Sequence, residues 1–166
     1  MGLIIKNKIK KFQVGFPTIS DKYNVAGGVL TGSTSVNFGD LVKLSSNKGY
    51  FEAISSTITL ADIGGFVVGT NVKLALAYPG TDASVKVLPG EAFNLLVNGF
   101  IAVSLDASAV EGDIVANAPV YVILATGKLT TSTNASAGTI VELPGVVFTG
   151  ETETIGSTIL AEIYVK

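Results

Sequence analysis

The chain consists of short apolar runs separated by turn residues. The runs are rich in Val, Ile, Thr and Phe, and the breaks include Gly27-Gly28, Pro79-Gly80, Pro89-Gly90 and Pro144-Gly145. The longest clean apolar run, residues 120–125, has the length of a strand, and 19 Gly and 5 Pro leave little room for ordinary helices. This pattern predicts an all-β protein, either a barrel or a sandwich.

Two segments have the pattern of a helical turn. Thr59–Asp62 reads Thr-x-x-Asp, the form of a capping box, but Gly64-Gly65 would end a helix there within about two turns. Leu105–Val110 would similarly end at Gly112. We expect both segments to be loops that link strands.

A weak internal repeat divides the chain into halves. The pattern Gly-Asp-aliphatic-Val occurs at 39–42 and again at 112–115. It predicts two similar β units, about 26–90 and 98–166, within a single domain of residues 23–166. Because Gly-Asp before a strand is also common turn chemistry, we expect Asp40 and Asp113 to bond the local backbone.

The N-terminus has the opposite charge to the rest of the chain. Residues 1–22 hold five Lys and one Asp, whereas residues 23–166 hold six Lys and twelve acidic residues. Lys6, Lys8 and Lys10 alternate with other residues at a period of two, which favours an extended strand. Residues 1–22 are therefore predicted to form a basic arm: a charged edge strand that discourages aggregation, a segment that lies on an acidic partner, or both.

Three aromatic residues in or beside this arm, Phe12, Phe16 and Tyr23, are interface anchors or else pack on their own domain. The predicted partner-binding residues are Lys6, Lys8, Lys10, Lys11, Phe12, Phe16 and Tyr23. The other phenylalanines fall within apolar alternation and are predicted to lie in the core. These core candidates are Phe38, Phe51, Phe66, Phe93, Phe100 and Phe148.

Composition excludes many kinds of chemistry. The 166 residues include no Cys, His, Trp or Arg, which removes disulfides, thiolate nucleophiles, imidazole bases and guanidinium clamps. A net charge of −2 gives no field that attracts nucleic acid, and no window approaches the ~18 apolar residues of a membrane span. The start of the chain also lacks a signal peptide pattern, and Lys6 departs from the myristoylation motif that Gly2 would begin. Only 14% of residues are charged against 48% hydrophobic, so we expect the surface to meet other protein.

The remaining candidates for chemistry are weak. Asp106, Glu111 and Asp113 place three carboxylates within eight residues, as a cation site would, but their spacing does not match an EF-hand loop. Ser45 or Ser46 could form a Ser-Lys dyad with Lys48, but these residues read as the tip of a hairpin, where no burial would lower the pKa of the lysine. We predict no catalytic site and no cofactor.

The order of these segments resembles the capsid decoration, or structural cement, proteins of tailed bacteriophages. The resemblance spans nearly the whole chain. It is carried by the basic opening 6–17, by Tyr23–Gly28, Phe38–Val42 and Pro89–Phe93, and by Leu143–Gly150 at the close.

This resemblance implies a non-enzymatic virion protein that is made in the host cytoplasm and binds the outside of the capsid. Its implied partner is the major capsid protein, at junctions between subunits, where it would stabilise the expanded head, often as a trimer. The alternatives are a β-type ligand- or carbohydrate-binding adhesion module, against which the lack of Trp argues, and a hydrolase built on carboxylates such as Asp106.

Overall fold

The computed structural model describes residues 14–18, 23–69, 86–131 and 139–166. More than half of these residues lie in β-strands and none lies in an α-helix, which confirms the predicted all-β class. Short 3₁₀ turns occur at Leu60–Asp62 and Glu111–Asp113. The strands are β1 (Asn24–Thr31), β2 (Val36–Asn37), β3 (Leu41–Leu44), β4 (Tyr50–Ala53), β5 (Ile63–Val68), β6 (Lys86–Val87), β7 (Ala92–Ser104), β8 (Pro119–Ile123), β9 (Leu129–Thr130), β10 (Ile140–Ile155) and β11 (Thr158–Val165).

Nine of these strands form one large sheet in the order β1-β4-β3-β5-β7-β11-β10-β8-β9, and β1 also pairs with β7. The pairings of β1, β4, β3, β5 and β7 therefore close into a ring, while the other four strands extend from β7. Strand β1 is parallel to β4, whereas the remaining pairs of the sheet are antiparallel. The whole is a large sheet rather than a simple barrel.

Strand β7 joins the ring to the rest of the sheet through a bulge at Val97. Val25 pairs with Leu96 and Asn24 with Asn98, so Val97 is the extra residue. Before the bulge β7 pairs with β1 and β5, and after it with Asn24 at the start of β1 and then with β11. Leu96 and Ile101 are an odd number of positions apart, so in a regular strand they would point to opposite faces. They belong to the same core because the bulge between them reverses the alternation.

The two core clusters share β5 and β7. Phe66 and Val68 of β5 join the larger cluster, whereas Val67 between them joins the cluster inside the ring. A strand buried on both faces requires a continuous apolar run, as this sequence has. The ring cluster consists of Leu30, Val36, Phe38, Val42, Phe51, Val67, Val87, Phe93 and Leu95. The larger cluster lies on the other face of β5 and takes most of its residues from β7, β8, β10 and β11.

Five of the six predicted core phenylalanines are buried. Phe100 is the exception, since its ring is half-buried and stacks on Tyr164 with a centroid distance of 4.6 Å. The other five, each at most 8% exposed, are Phe38, Phe51, Phe66, Phe93 and Phe148.

Two predicted turns lie inside strands instead. Gly27-Gly28 lies within β1. A side chain at Gly28 would overlap the ring of Phe51, so close packing requires glycine at this position. Pro144-Gly145 lies within β10, at a register shift between Glu142 and Val147. Pro89-Gly90 does form a turn, and Pro79-Gly80 lies outside the described residues.

The local capping signals behave as expected. The backbone N–H of Thr59 donates to Oδ2 of Asp62 at 2.7 Å, and the resulting 3₁₀ turn ends where β5 begins. The backbone N–H of Asn37 donates to Oδ2 of Asp40 at 3.0 Å, which confirms the predicted turn chemistry at that position. Asp113 lies in the second 3₁₀ turn.

Candidate functional site

Residues 14–18 lie along the second half of β7. The N–H of Gly15 donates to the carbonyl of Ala102 at 2.8 Å, and the N–H of Ala102 donates to the carbonyl of Phe16 at 3.3 Å. Gly15 has a φ of 78°, and a Cβ there would lie 2.2 Å from Cβ of Phe38, so only glycine fits. This segment continues the line that β1 follows along the first half of the same strand.

The predicted anchors in the arm therefore have different positions. Phe16 is half-buried and packs edge-to-face on Phe38, with ring centroids 5.7 Å apart, so it contacts its own domain. Tyr23 is 38% exposed just before β1 and is accessible to a partner. The other predicted partner-binding residues, Lys6, Lys8, Lys10, Lys11 and Phe12, lie outside the described residues.

Four exposed apolar side chains lie on β1 or beside it, and we call them the β1 surface: Tyr23, Val25, Tyr50 and Val97. Each is between 38% and 53% exposed. Tyr50 pairs with Val29 of β1, and Val97 is the bulge residue next to the partner of Val25. The sequence predicts Tyr23 alone among these four, because the pairing that places Tyr50 and Val97 beside β1 is long-range.

A shallow groove of about 420 Å³ runs beside β1. Its lining residues are Gly27, Gly28, Val29, Gly49, Ala92, Phe93 and Asn94. A Cβ at Gly27 or Gly49 would meet no atom within 4 Å, so the missing side chains at these two positions leave space open. Such a groove can receive an apolar side chain of another protein.

A smaller cleft of about 180 Å³ contains Asp40 and Lys128. Oδ2 of Asp40 accepts from both the backbone N–H and Nδ2 of Asn37. The side chain of Asp40 reaches solvent, but surrounding protein atoms remove part of its hydration, and this burial raises the pKa of the carboxyl group. The hydrogen bonds from Asn37 and the charge of Lys128 oppose that shift.

Two of the three carboxylates considered as a cation site accept hydrogen bonds from different parts of the chain. Oδ1 of Asp106 accepts from the N–H of Ser108 at 3.0 Å, and Oε1 of Glu111 accepts from Oγ1 of Thr152 at 3.2 Å. Within the part of the chain that the structure describes, no three acidic, His or Cys side chains gather closely enough to hold a metal ion. The geometry thus gives this candidate no support.

Ser45 and Lys48 lie in the tight connection between β3 and β4, as the hairpin interpretation predicts. The N–H of Tyr50 donates to the carbonyl of Asn47 at 3.1 Å, and Gly49 takes a φ of 82°. Lys48 is exposed there. The hairpin therefore lacks the burial that a Ser-Lys dyad requires.

None of the helices in the described ranges is long and apolar enough to span a membrane. The features described above, an apolar β1 surface, an open groove and a segment added to a sheet edge, are typical of proteins that act through contacts with other proteins. They define the class as that of a β-sheet structural or binding protein.

Comparison with known proteins agrees with this class and narrows it. Residues 8–165 match the family model of the phage structural cement protein (E217 gp24/Pam3 gp6). Because the match covers nearly the whole chain, the protein belongs to the structural cement protein family of phages. The resemblance found in the sequence is thereby confirmed, and the protein has a capsid-associated structural role in the virion.

A solved structure with a similar fold comes from the capsid of Myoviridae phage XM1. The TM-score is 0.65 at 17% sequence identity, and the alignment covers 97% of this chain and 95% of the phage XM1 chain. No curated protein matches the chain. The solved structure therefore supports the fold, while the family model establishes membership.

Proposed function

We propose that the protein binds the outer surface of the phage capsid at junctions between major capsid protein subunits and stabilises the expanded head, acting there as a trimer after synthesis in the host cytoplasm. The observation that carries the proposal is the match to the structural cement family over residues 8–165. The low fraction of charged residues, 14%, and the apolar β1 surface support a role in protein contact rather than catalysis.

The stabilisation follows from mass action. A protein that binds only the assembled shell stabilises it by RT ln(1 + [L]/Kd) at each site, about 2.7 kcal/mol when its free concentration is a hundred times Kd. The effect is repeated over the many equivalent sites of a capsid. Individually modest contacts are therefore sufficient.

The β1 surface is the part of the described chain that best fits the capsid contact. Tyr23, Val25, Tyr50 and Val97 expose apolar side chains on β1 or beside it, and an open groove lined by other residues runs along the same strand. Tyrosine is enriched in protein interfaces because its ring is apolar and its hydroxyl can still form a hydrogen bond. Burial of these side chains against the capsid would remove from water a surface that the isolated chain leaves exposed.

The basic arm adds an electrostatic contribution. Lys6, Lys8, Lys10 and Lys11 would face an acidic part of the capsid, so binding should weaken as salt rises. If binding does not depend on salt, the apolar contacts dominate and the proposed role of the arm is wrong.

Co-sedimentation with expanded shells tests the β1 surface directly. Val25→Asp and Val97→Asp each place a charge in the proposed contact and should lower the affinity for shells at least tenfold, since an unpaired charge would be buried on binding. Val115→Asp is the matched control, because Val115 is exposed to a similar degree, 57% against 53% for Val97, and it lies in the connection before β8, a strand that does not pair with β1. Unchanged affinity of both β1 variants would contradict the assignment of this surface.

A further inference from the structure

Within the described ranges, the first half of β1 has a free edge. Strand β4 pairs with β1 only over Val29–Thr31, and no other described strand lies on that side of β1. Residues 24–27 are all exposed, although each of them pairs with β7 on the opposite side. Because these residues are open to water as well as unpaired along this edge, the sheet can accept a further strand there.

The backbone groups on this edge belong to Val25 and Gly27. The N–H of Val29 donates to the carbonyl of Gly49, which directly precedes β4, at 3.1 Å. Backbone groups alternate in direction along a strand, so those of Val25 and Gly27 point the same way as those of Val29, away from β7. We call these two N–H and two C=O groups the β1 edge. They point outward from the sheet, where another strand can bond to them.

The β1 edge lacks the features that usually protect a free strand edge. Proteins place lysine, proline or an inward-pointing charge on such edges to prevent pairing with other chains. Strand β1 contains no charged residue and no proline. An exposed, uncharged edge is the surface to which a partner adds a strand in β-augmentation, where main-chain hydrogen bonds supply the affinity.

The groove beside β1 lies at the same edge. Its lining includes Gly27 and Gly28, which are consecutive in the strand and therefore face opposite sides of the sheet. A groove that reaches both faces of one strand lies at the edge of that strand. Gly49, just before β4, lines the groove together with Phe93 of the ring cluster. The groove thus continues the line of β4 along β1.

We propose that the β1 edge binds an extended segment of the major capsid protein, which adds a strand in line with β4 and places an uncharged, apolar side chain in the groove beside Phe93. The inference rests on the proposed function and names the backbone contact by which the protein holds the shell. A charged side chain is disfavoured there, because it would lose its hydration beside an aromatic ring. A second copy is disfavoured as well, since two copies that pair through the same edge form a twofold contact and a dimer rather than the proposed trimer.

Amide hydrogen exchange, resolved to single residues, tests the β1 edge in the full-length protein with and without expanded shells. The amides of Val25 and Gly27 should exchange about tenfold more slowly, or slower still, on the shell, because each donates to the added strand. The amides of Ala26 and Gly28 are internal controls, since the alternation directs them to β7 with or without the shell, and their exchange should change far less. Equal slowing of all four amides, or no slowing at Val25 and Gly27, would overturn the proposal.

The variant Gly27→Pro removes one N–H of the β1 edge and leaves the pairing with β7 in place. Proline is tolerated where the N–H of an edge strand faces solvent, and a Cβ at Gly27 would meet no atom within 4 Å. The affinity of this variant for expanded shells should fall by about tenfold or more, because a hydrogen bond is lost and the proline ring obstructs the added strand. Urea denaturation establishes that the variant is folded.

The outcomes separate this inference from the proposed function. Folded Gly27→Pro that binds shells as tightly as the wild type would overturn the inference and leave capsid binding intact. Absence of binding by the wild type would overturn the proposed function and the inference together. A dimer that forms without shells, protects the amides of Val25 and Gly27 and dissociates in Gly27→Pro would also overturn the inference, because the occupant would then be a second copy.

Discussion

Gly28 and Gly27 are adjacent in β1 but have different surroundings. A Cβ at Gly28 would lie 2.6 Å from the ring of Phe51, which packs edge-to-face on Phe93 inside the ring of strands. A Cβ at Gly27 would meet nothing within 4 Å. Packing therefore requires glycine at position 28, whereas glycine at position 27 leaves open the groove beside β1.

This difference predicts unequal effects of the same substitution. Gly28→Ala should lower the free energy of unfolding by about 1–3 kcal/mol, the usual cost of overpacking a core. Gly27→Ala should leave it unchanged or raise it by about 0.5–1 kcal/mol, because alanine reduces the entropy of the unfolded chain. Urea denaturation of the two variants measures both values. Equal destabilisation by the two substitutions would contradict the packing described for Phe51.

Asp40 gives a prediction of pH dependence. Burial raises the pKa of its carboxyl group above the ordinary 3.8, so the folded state binds the proton more tightly than the unfolded state does. The contribution of Asp40 to stability is therefore full below pH ~3.8 and is lost as the pH rises through the raised pKa. The unfolding free energy of the wild type relative to Asp40→Asn should thus be greater at pH 3 than at pH 7. A relative stability that increases with pH would show that the hydrogen bonds from Asn37 outweigh the loss of hydration.

At the scale of elements, β7 determines how the sheet is assembled. Its first half closes the ring with β1 and β5, and its second half holds β11 on one side and residues 14–18 on the other. The bulge at Val97 lets one strand contribute both Leu96 and Ile101 to the same core.

Two truncations test whether residues 14–18 belong to the sheet. Deletion of residues 1–13 retains the hydrogen bond from Gly15 to Ala102 and the packing of Phe16 on Phe38. Deletion of residues 1–18 removes both contacts. The free energy of unfolding of this protein should be lower than that of the protein lacking residues 1–13 by at least about 3 kcal/mol, a value typical of losing a packed phenylalanine. Thermal and urea denaturation of the two truncated proteins compare these losses. Equal stability would show that the segment contributes little to the fold.

Elements that depend on local signals could be predicted from the sequence. The hairpin tip at Ser45–Gly49 and the turn at Thr59–Asp62 follow from residues a few positions apart. The prediction of a turn at Gly27-Gly28 is wrong, because the residue that requires glycine at position 28 is Phe51, more than twenty residues away in the chain. A local pattern cannot distinguish a glycine needed for a turn from one needed for close packing.

At the scale of the whole molecule, the sequence indicated the structural family and the absence of common catalytic groups, but not the surface. Tyr23 could be proposed from its place beside the basic arm. Val25 and Val97 could not, because their exposure depends on the bulge that shifts the pairing of β1 with β7. Candidate interface residues of this kind follow from register, and register is set by long-range pairing.

The central claim is that the protein is a cement for the capsid, and one measurement tests it most directly. The purified full-length chain is sedimented with expanded shells assembled from the major capsid protein of the same phage, and the bound copies per shell are counted as its concentration rises. We predict saturable binding at a fixed ratio to capsid subunits. Absence of binding at concentrations well above those of the shell sites, with the chain left in the supernatant, would contradict the account.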